Sequence, residues 1–185
     1  MSLGFTLGMS LPQVAIAQPD ILAIIGKDNY LFPAWGTTDE PNWPAIDATV
    51  ARVAEVHKRL AARGIALVAP VLPSKKLFYA DKLPAVDALT PEMLGRYAGI
   101  RDRLAAAGVP GFDVERLYRA LQANGEPVYY RTDQHWTQSA ADATAQATAD
   151  LIHQLVPKLA GAAGTGLALG AISKERRYGD LAERF

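Results

Sequence analysis

The chain has 185 residues, half of them hydrophobic and 21% charged, which suits one domain with a sizeable core. Its 19 basic and 19 acidic residues cancel, so it lacks the cationic surplus through which nucleic-acid binders gain affinity, and no run of like charge forms a polybasic membrane patch. With no cysteine there can be no disulfide framework, thiolate metal site or cysteine nucleophile.

Residues 1–18 read separately from the rest. Gly4 to Ala17 is mostly apolar, contains Pro12, and ends in Ala15-Ile16-Ala17, a small-x-small pattern like a signal-peptidase site. No Lys or Arg precedes Lys27, so the expectation is a signal-peptide remnant without its basic start, too short for a membrane span. Residues 19–185 then form the domain.

From Ile21 onward, strand-like and helix-like pieces alternate. Ile21 to Ile25, the turn at Gly26 to Asn29 and Tyr30 to Phe32 predict a hairpin. After a Gly, Thr and Pro loop, Pro44 opens a helix with Ile46, Val50, Val53 and Leu60 at helical spacing, closed by Arg63-Gly64. Ile65 to Leu72 is apolar without alternation, as in a strand buried on both faces of a parallel sheet, and Pro70 marks where pairing ends. Leu77 to Leu89 reads as a connection. Thr90-Pro91 caps a helix running to Ala107, Gly108 ends it, and Val109 to Val114 is strand-like. Glu115 to Ala123 is a further helix and Val128 to Tyr130 a third short strand. Thr137 caps the last helix, on which Ala141, Thr144, Thr148, Leu151 and Leu155 share a face before Pro157 stops it. The alternation predicts an α/β domain with a mostly parallel sheet and flanking helices. The alanine-rich composition suits helices packed closely on it. Gly161 to Gly170 reads as a linker and Lys174 to Phe185 as a charged, at best amphipathic, end.

The chemistry concentrates in Tyr129-Tyr130-Arg131-Thr132-Asp133-Gln134-His135-Trp136-Thr137, where strand gives way to helix. Asp133 and His135, two apart, project to one side of an extended piece. The carboxylate can hold the Nδ1 proton of the imidazole and leave Nε2 as a general base, with Trp136 walling the pocket. Against this stands a loop histidine satisfied by its neighbour and a tryptophan buried for packing. A metal pair ranks below both, because no further ligand cluster nearby in sequence completes it. His57 and His153 sit within helices and are assigned no chemistry. Gly164-Thr165-Gly166 lacks the strand and lysine spacing of a phosphate loop.

Four blocks in order resemble the alginate O-acetyltransferases of the SGNH-hydrolase-like superfamily, periplasmic enzymes that acetylate exopolysaccharides. They are Gly26-Lys27-Asp28-Asn29-Tyr30-Leu31-Phe32; Val71-Leu72-Pro73-Ser74-Lys75-Lys76 with Tyr79 and Leu83-Pro84; Asp133-Gln134-His135-Trp136-Thr137, similar to a D-x-H-W-[ST] motif; and Gly179-Asp180-Leu181. The resemblance implies an SGNH-like α/β fold and a periplasmic protein that works without a cofactor. It makes Asp133 and His135 the partners of a serine nucleophile, and puts Trp136, Arg131 and Lys75 on the substrate side. A polysaccharide or an acetyl-donor protein would be the partner.

In such enzymes the serine lies in a downstream Gly/Ser-rich block, whereas no Gly-x-Ser or Gly-Asp-Ser occurs between Trp136 and Phe185. Ser139 and Ser173 lack the exposed strand-to-helix elbow of a nucleophile. Ser74 ends a strand beside Lys75 and Lys76, where a serine–lysine arrangement is conceivable, but adjacent residues there face opposite ways and the resemblance gives this block a structural or substrate-side role. The expectation is therefore an acetyltransferase-like or esterase-like domain without its nucleophile block, inactive alone as 185 residues. The alternative is a carbohydrate-binding or partner-binding relative that kept the fold and lost the chemistry.

Overall fold

The computed structural model describes residues 23–35, 40–159, 170–171 and 179–182. The expected signal remnant (1–18), most of the expected linker and most of the charged end lie outside the described residues.

The described residues open with an antiparallel hairpin of β1 (Ala23–Ile25) and β2 (Leu31–Pro33), in which Ile24 faces Phe32. Two non-glycine residues with positive φ, Asp28 at 55° and Asn29 at 61°, make the turn, a conformation their short polar side chains tolerate. Four longer elements follow, with one short helical turn between them: α1 (Trp43–Ala61), the turn α2 (Lys75–Phe78), α3 (Pro91–Ala106), α4 (Val114–Ala123) and α5 (Gln138–Leu155). Their starts match the sequence. Asn42, Thr90, Asp113 and Thr137 each accept a backbone N–H from the first turn, and prolines occupy the first turns of α1 and α3. Gly64, Gly108 and Gly125 all follow helix ends with φ between 72° and 80°, the left-handed exit that glycine adopts without strain.

The sheet departs from expectation. Among the described residues the only sheet is the two-stranded hairpin. Ile65 to Leu72 and Val109 to Val114 do run side by side, but the one backbone bond joining them is Ala69 N–H to the carbonyl of Pro110, at 2.8 Å. Pro70, Pro73 and Pro110 have no N–H to give, which interrupts a ladder on both segments. Nor is the first segment buried on both faces, since Ile65 and Leu72 are exposed. Ala69, Pro70 and Val71 line a groove of about 650 Å³ with α1 and α3, and Pro70 and Leu72 line another of about 520 Å³ with Trp136 and α5. Val128 to Tyr130 is likewise reduced to a single antiparallel bridge, Tyr129 to Trp136.

The core is aromatic and sits under the 128–137 segment. Phe78, Tyr118 and Tyr129 meet with ring centroids 5.7 to 6.0 Å apart, and Phe32, Val114 and Val128 are fully enclosed beside them. Each buried phenol has a polar task. Tyr97 Oη accepts the Val114 amide at 2.8 Å, Tyr79 Oη accepts the Val128 amide at 3.1 Å, and Tyr129 Oη donates to the Pro73 carbonyl. The last two fix the entry to the 128–137 segment. Trp43 packs against Gly99 of α3 with the Arg103 guanidinium 4.2 Å from its ring centre, so this tryptophan anchors α1 onto α3.

Candidate active site

Residues 128–137 fold back on themselves. The Tyr130 amide donates to the His135 carbonyl at 3.2 Å and the Thr137 amide to the Val128 carbonyl at 3.0 Å, leaving 131–134 as the connecting loop. Thr137 finishes the segment in two ways. Its hydroxyl donates to the Pro127 carbonyl at 2.7 Å and also accepts the Ala140 amide as the N-cap of α5. The loop thus hangs between a buried aromatic base and the start of a helix.

Within it, Asp133 and His135 meet as their spacing predicts. Asp133 Oδ1 lies 2.6 Å from His135 Nδ1 and also accepts the His135 amide at 2.8 Å. The carboxylate fixes the imidazole by a hydrogen bond to Nδ1, while 58% of the His135 side chain stays accessible. An oriented imidazole with an open outer edge is the geometry of a general base or nucleophile.

A second aspartate, which the sequence reading noted in a turn but did not bring to the site, completes this arrangement. Asp180 and Asp133 exchange bonds across the loop: Asp180 Oδ1 accepts the Gln134 amide at 3.0 Å, and Asp133 Oδ2 accepts the Asp180 amide at 3.2 Å. Asp180 Oδ2 stands 3.9 Å from His135 Nδ1. Gly179 makes the approach possible, because a Cβ there would collide with the Thr132 carbonyl and sit 2.7 Å from the Asp133 nitrogen. Leu181 is buried just beyond. Burial by itself would raise the pKa of Asp133. The amides of His135 and Asp180, with the His135 ring, outweigh that and hold it down at about 2.

Asp133, His135 and Asp180 bring potential metal-ligand atoms within 4.8 Å of one another. Three of the four carboxylate oxygens already accept protein N–H groups, and three ligands fall short of a closed tetrahedral set. Hydrogen bonding accounts for the cluster.

The residues expected on the substrate side are placed differently from one another. Trp136 is partly exposed, its ring edge-on to His135 with centroids 6.2 Å apart. Arg131 is exposed, its guanidinium 5.5 Å from the Tyr30 ring centre. Lys75 is 3% exposed and lies behind the loop, its ammonium directed at main-chain carbonyls. Of the serines weighed in the sequence, Ser74 caps α2 by accepting the Lys76 amide, Ser139 is exposed in the first turn of α5, and Ser173 lies outside the described residues.

Among solved structures, the fold is similar to the O-acetyltransferase domain of Pseudomonas putida AlgJ, with a TM-score of 0.69 at 22% identity. The match covers 88% of this chain and 58% of that one. In sequence, the chain is 32% identical over 129 residues to a probable alginate O-acetylase AlgJ of Pseudomonas aeruginosa, covering 66% of this chain and 31% of that protein. It is also 32% identical over 110 residues to the alginate biosynthesis protein AlgX of Pseudomonas putida, covering 56% and 23%. The chain therefore spans a third or less of the length of these two relatives. The family model for the SGNH hydrolase-like domain of the acetyltransferase AlgX matches residues 23–185, and the chain belongs to that family.

Proposed function

We propose that this chain supplies the acid–base half of an acetyl-transfer site acting on a polysaccharide, with His135 as the base and Asp133 as the residue that orients it. The 2.6 Å contact between Asp133 Oδ1 and His135 Nδ1, at an imidazole open to solvent, carries the reading. The names of the alginate O-acetylase relatives support the substrate class, and a periplasmic setting is part of the same proposal. Among the described residues no helix is long and apolar enough to cross a membrane.

The chemistry follows from the geometry. Nε2 takes the proton of a serine hydroxyl as its oxygen attacks the acetyl carbonyl, and Asp133 stabilises the imidazolium. The imidazolium returns that proton to the departing group as the tetrahedral intermediate collapses, leaving acetyl-serine. In the second half, Nε2 deprotonates a sugar hydroxyl, which takes the acetyl group and frees the serine. Trp136 would shield the reacting atoms from bulk water. The described residues surrounding the Asp133–His135 pair include no serine in a nucleophile's setting, so this residue has to reach His135 from elsewhere.

An activated ester removes that requirement from the test. Nε2 can itself attack 4-nitrophenyl acetate, expel nitrophenolate and pass the acetyl group to water. The expected result is nitrophenolate release that disappears in His135→Ala, persists in His57→Ala and His153→Ala, and is indifferent to a chelator. Equal release from His135→Ala and the unaltered chain would overturn the acid–base reading. If an alginate oligosaccharide still changed tryptophan fluorescence in that case, a carbohydrate-binding relative would be the better description.

A further inference from the structure

The ammonium of Lys75 is enclosed yet makes no ion pair among the described residues. Instead it spends its three protons on three main-chain carbonyls: Leu31 at 2.6 Å, Arg131 at 2.8 Å and Asp133 at 3.0 Å. The rings of Tyr30 and Phe32 flank it, with centroids 5.6 and 5.2 Å away. The three acceptors come from two segments about a hundred residues apart in sequence, and two of them bracket one residue of the loop. Arg131 and Asp133 point their carbonyls at the same cation, and the Arg131 carbonyl also accepts the Leu31 amide at 2.9 Å. With the Asp133 carbonyl drawn inward to Lys75, its carboxylate faces His135 and the Asp180 turn.

From this geometry we infer that Lys75 is a positioning residue, whose buried ammonium sets the backbone of the 131–133 loop so that Asp133 can hold His135. The inference rests on the proposed role of the Asp133–His135 pair. Mere filling of space would not call for a cation here. A buried charge is costly, and an unbranched apolar side chain of the same length would occupy the volume without that cost. The cost also shows in titration: burial pulls the Lys75 pKa down to about 8, against the upward pull of Asp133 and Asp180. What a methionine could not supply is a point donor on which carbonyls from β2 and from both sides of Thr132 converge. Lys75 thus acts through the loop and does not touch substrate.

The absence of native cysteine allows a clean test. Lys75→Cys is alkylated while unfolded, in one sample with 2-bromoethylamine, which rebuilds a lysine-like ammonium, and in another with 1-iodopropane, which gives a neutral chain of equal length. After refolding, two readouts are taken: the NMR resonance of the His135 Nδ1 proton bonded to Asp133, and His135-dependent nitrophenolate release. The ammonium form should restore the resonance and the release. The propyl form, and Lys75→Met as a second neutral variant, should lose the resonance and release nitrophenolate about tenfold more slowly, while the aromatic-core signals persist. The inference fails if the neutral forms keep the His135 resonance. It fails equally if they do not fold at all, because Lys75 would then be a requirement of the whole fold and not of the loop. Should His135→Ala leave release unchanged, the acid–base reading falls, while the resonance still reports whether Lys75 sets the loop.

Discussion

Replacing Asp133 by Asn keeps the side chain's shape and removes the charge on which three N–H groups converge. Burial works against that charge, yet the His135 and Asp180 amides and the His135 ring hold the carboxyl's pKa at about 2, below its ordinary 3.8. A gap of nearly two pH units corresponds to about 2 kcal/mol of stability, since water still reaches 22% of the side chain and screens part of it. Because the folded pKa lies below the unfolded one, this stability is present in full above about pH 5 and drains away as the pH falls towards 2, with about half left at pH 3. Asn has no such titration. Urea unfolding of both proteins in steps from pH 7 to pH 3 measures the difference. The variant should be weaker by about 2 kcal/mol at neutral pH, and the gap should shrink by about half at pH 3. The new amide does more than subtract a charge, because its NH2 group would face the Asp180 or His135 donors and add a cost that does not vary with pH. The narrowing is therefore the diagnostic quantity. Stability curves that stay parallel from pH 7 to pH 3 would refute the claim that a charged Asp133 organises this loop.

Gly179→Ala should unseat the 179–182 turn, since its Cβ meets the Thr132 carbonyl; loss of the two bonds between the turn and the loop, with exposure of Leu181, should cost about 3 kcal/mol in urea unfolding and shift the Gln134 amide resonance. Tyr129→Phe removes the donor to the Pro73 carbonyl inside the aromatic core and should cost about 1 to 3 kcal/mol, read as a lower thermal midpoint with the far-ultraviolet spectrum unchanged. In Gly99→Ala the new methyl group enters the Trp43 indole, 2.8 Å from Cζ3, so α1 and α3 should separate, with a loss of about 1 to 3 kcal/mol and red-shifted tryptophan emission.

The helices were legible in the sequence because their signals are local. Thr90 before Pro91 and Thr137 before Gln138 announce their helices through side chains that bond within three residues, and the glycines after α1, α3 and α4 close them in the same local way. The hairpin too is short-range. The parallel sheet was not legible in this sense, because an apolar run such as Ile65 to Leu72 states a preference for extended backbone and not for a partner. Pairing depends on donors facing acceptors along two segments, and Pro70, Pro73 and Pro110 remove donors where the two extended segments approach. The same run therefore ends as an extended chain with grooves on its flanks rather than a strand enclosed on both faces.

The site divides along the same line. Asp133 and His135 lie two residues apart, so their contact follows from the local chain. Lys75 and Asp180 reach the loop from 58 and 47 residues away, and nothing in their own neighbourhoods shows where they point. For Lys75 the resemblance implied a place on the substrate side. Only the folded chain shows that the hydrogen bonds of its ammonium go to Leu31, Arg131 and Asp133. Asp180 left a fainter clue in Gly179: a glycine directly before an aspartate leaves room for backbone to approach closely, but it does not identify which backbone. The structure identifies it as the Thr132–Asp133 peptide. The two residues that position the site are therefore the ones whose partners are carbonyls and amides, groups that every residue carries and that leave no trace in side-chain chemistry.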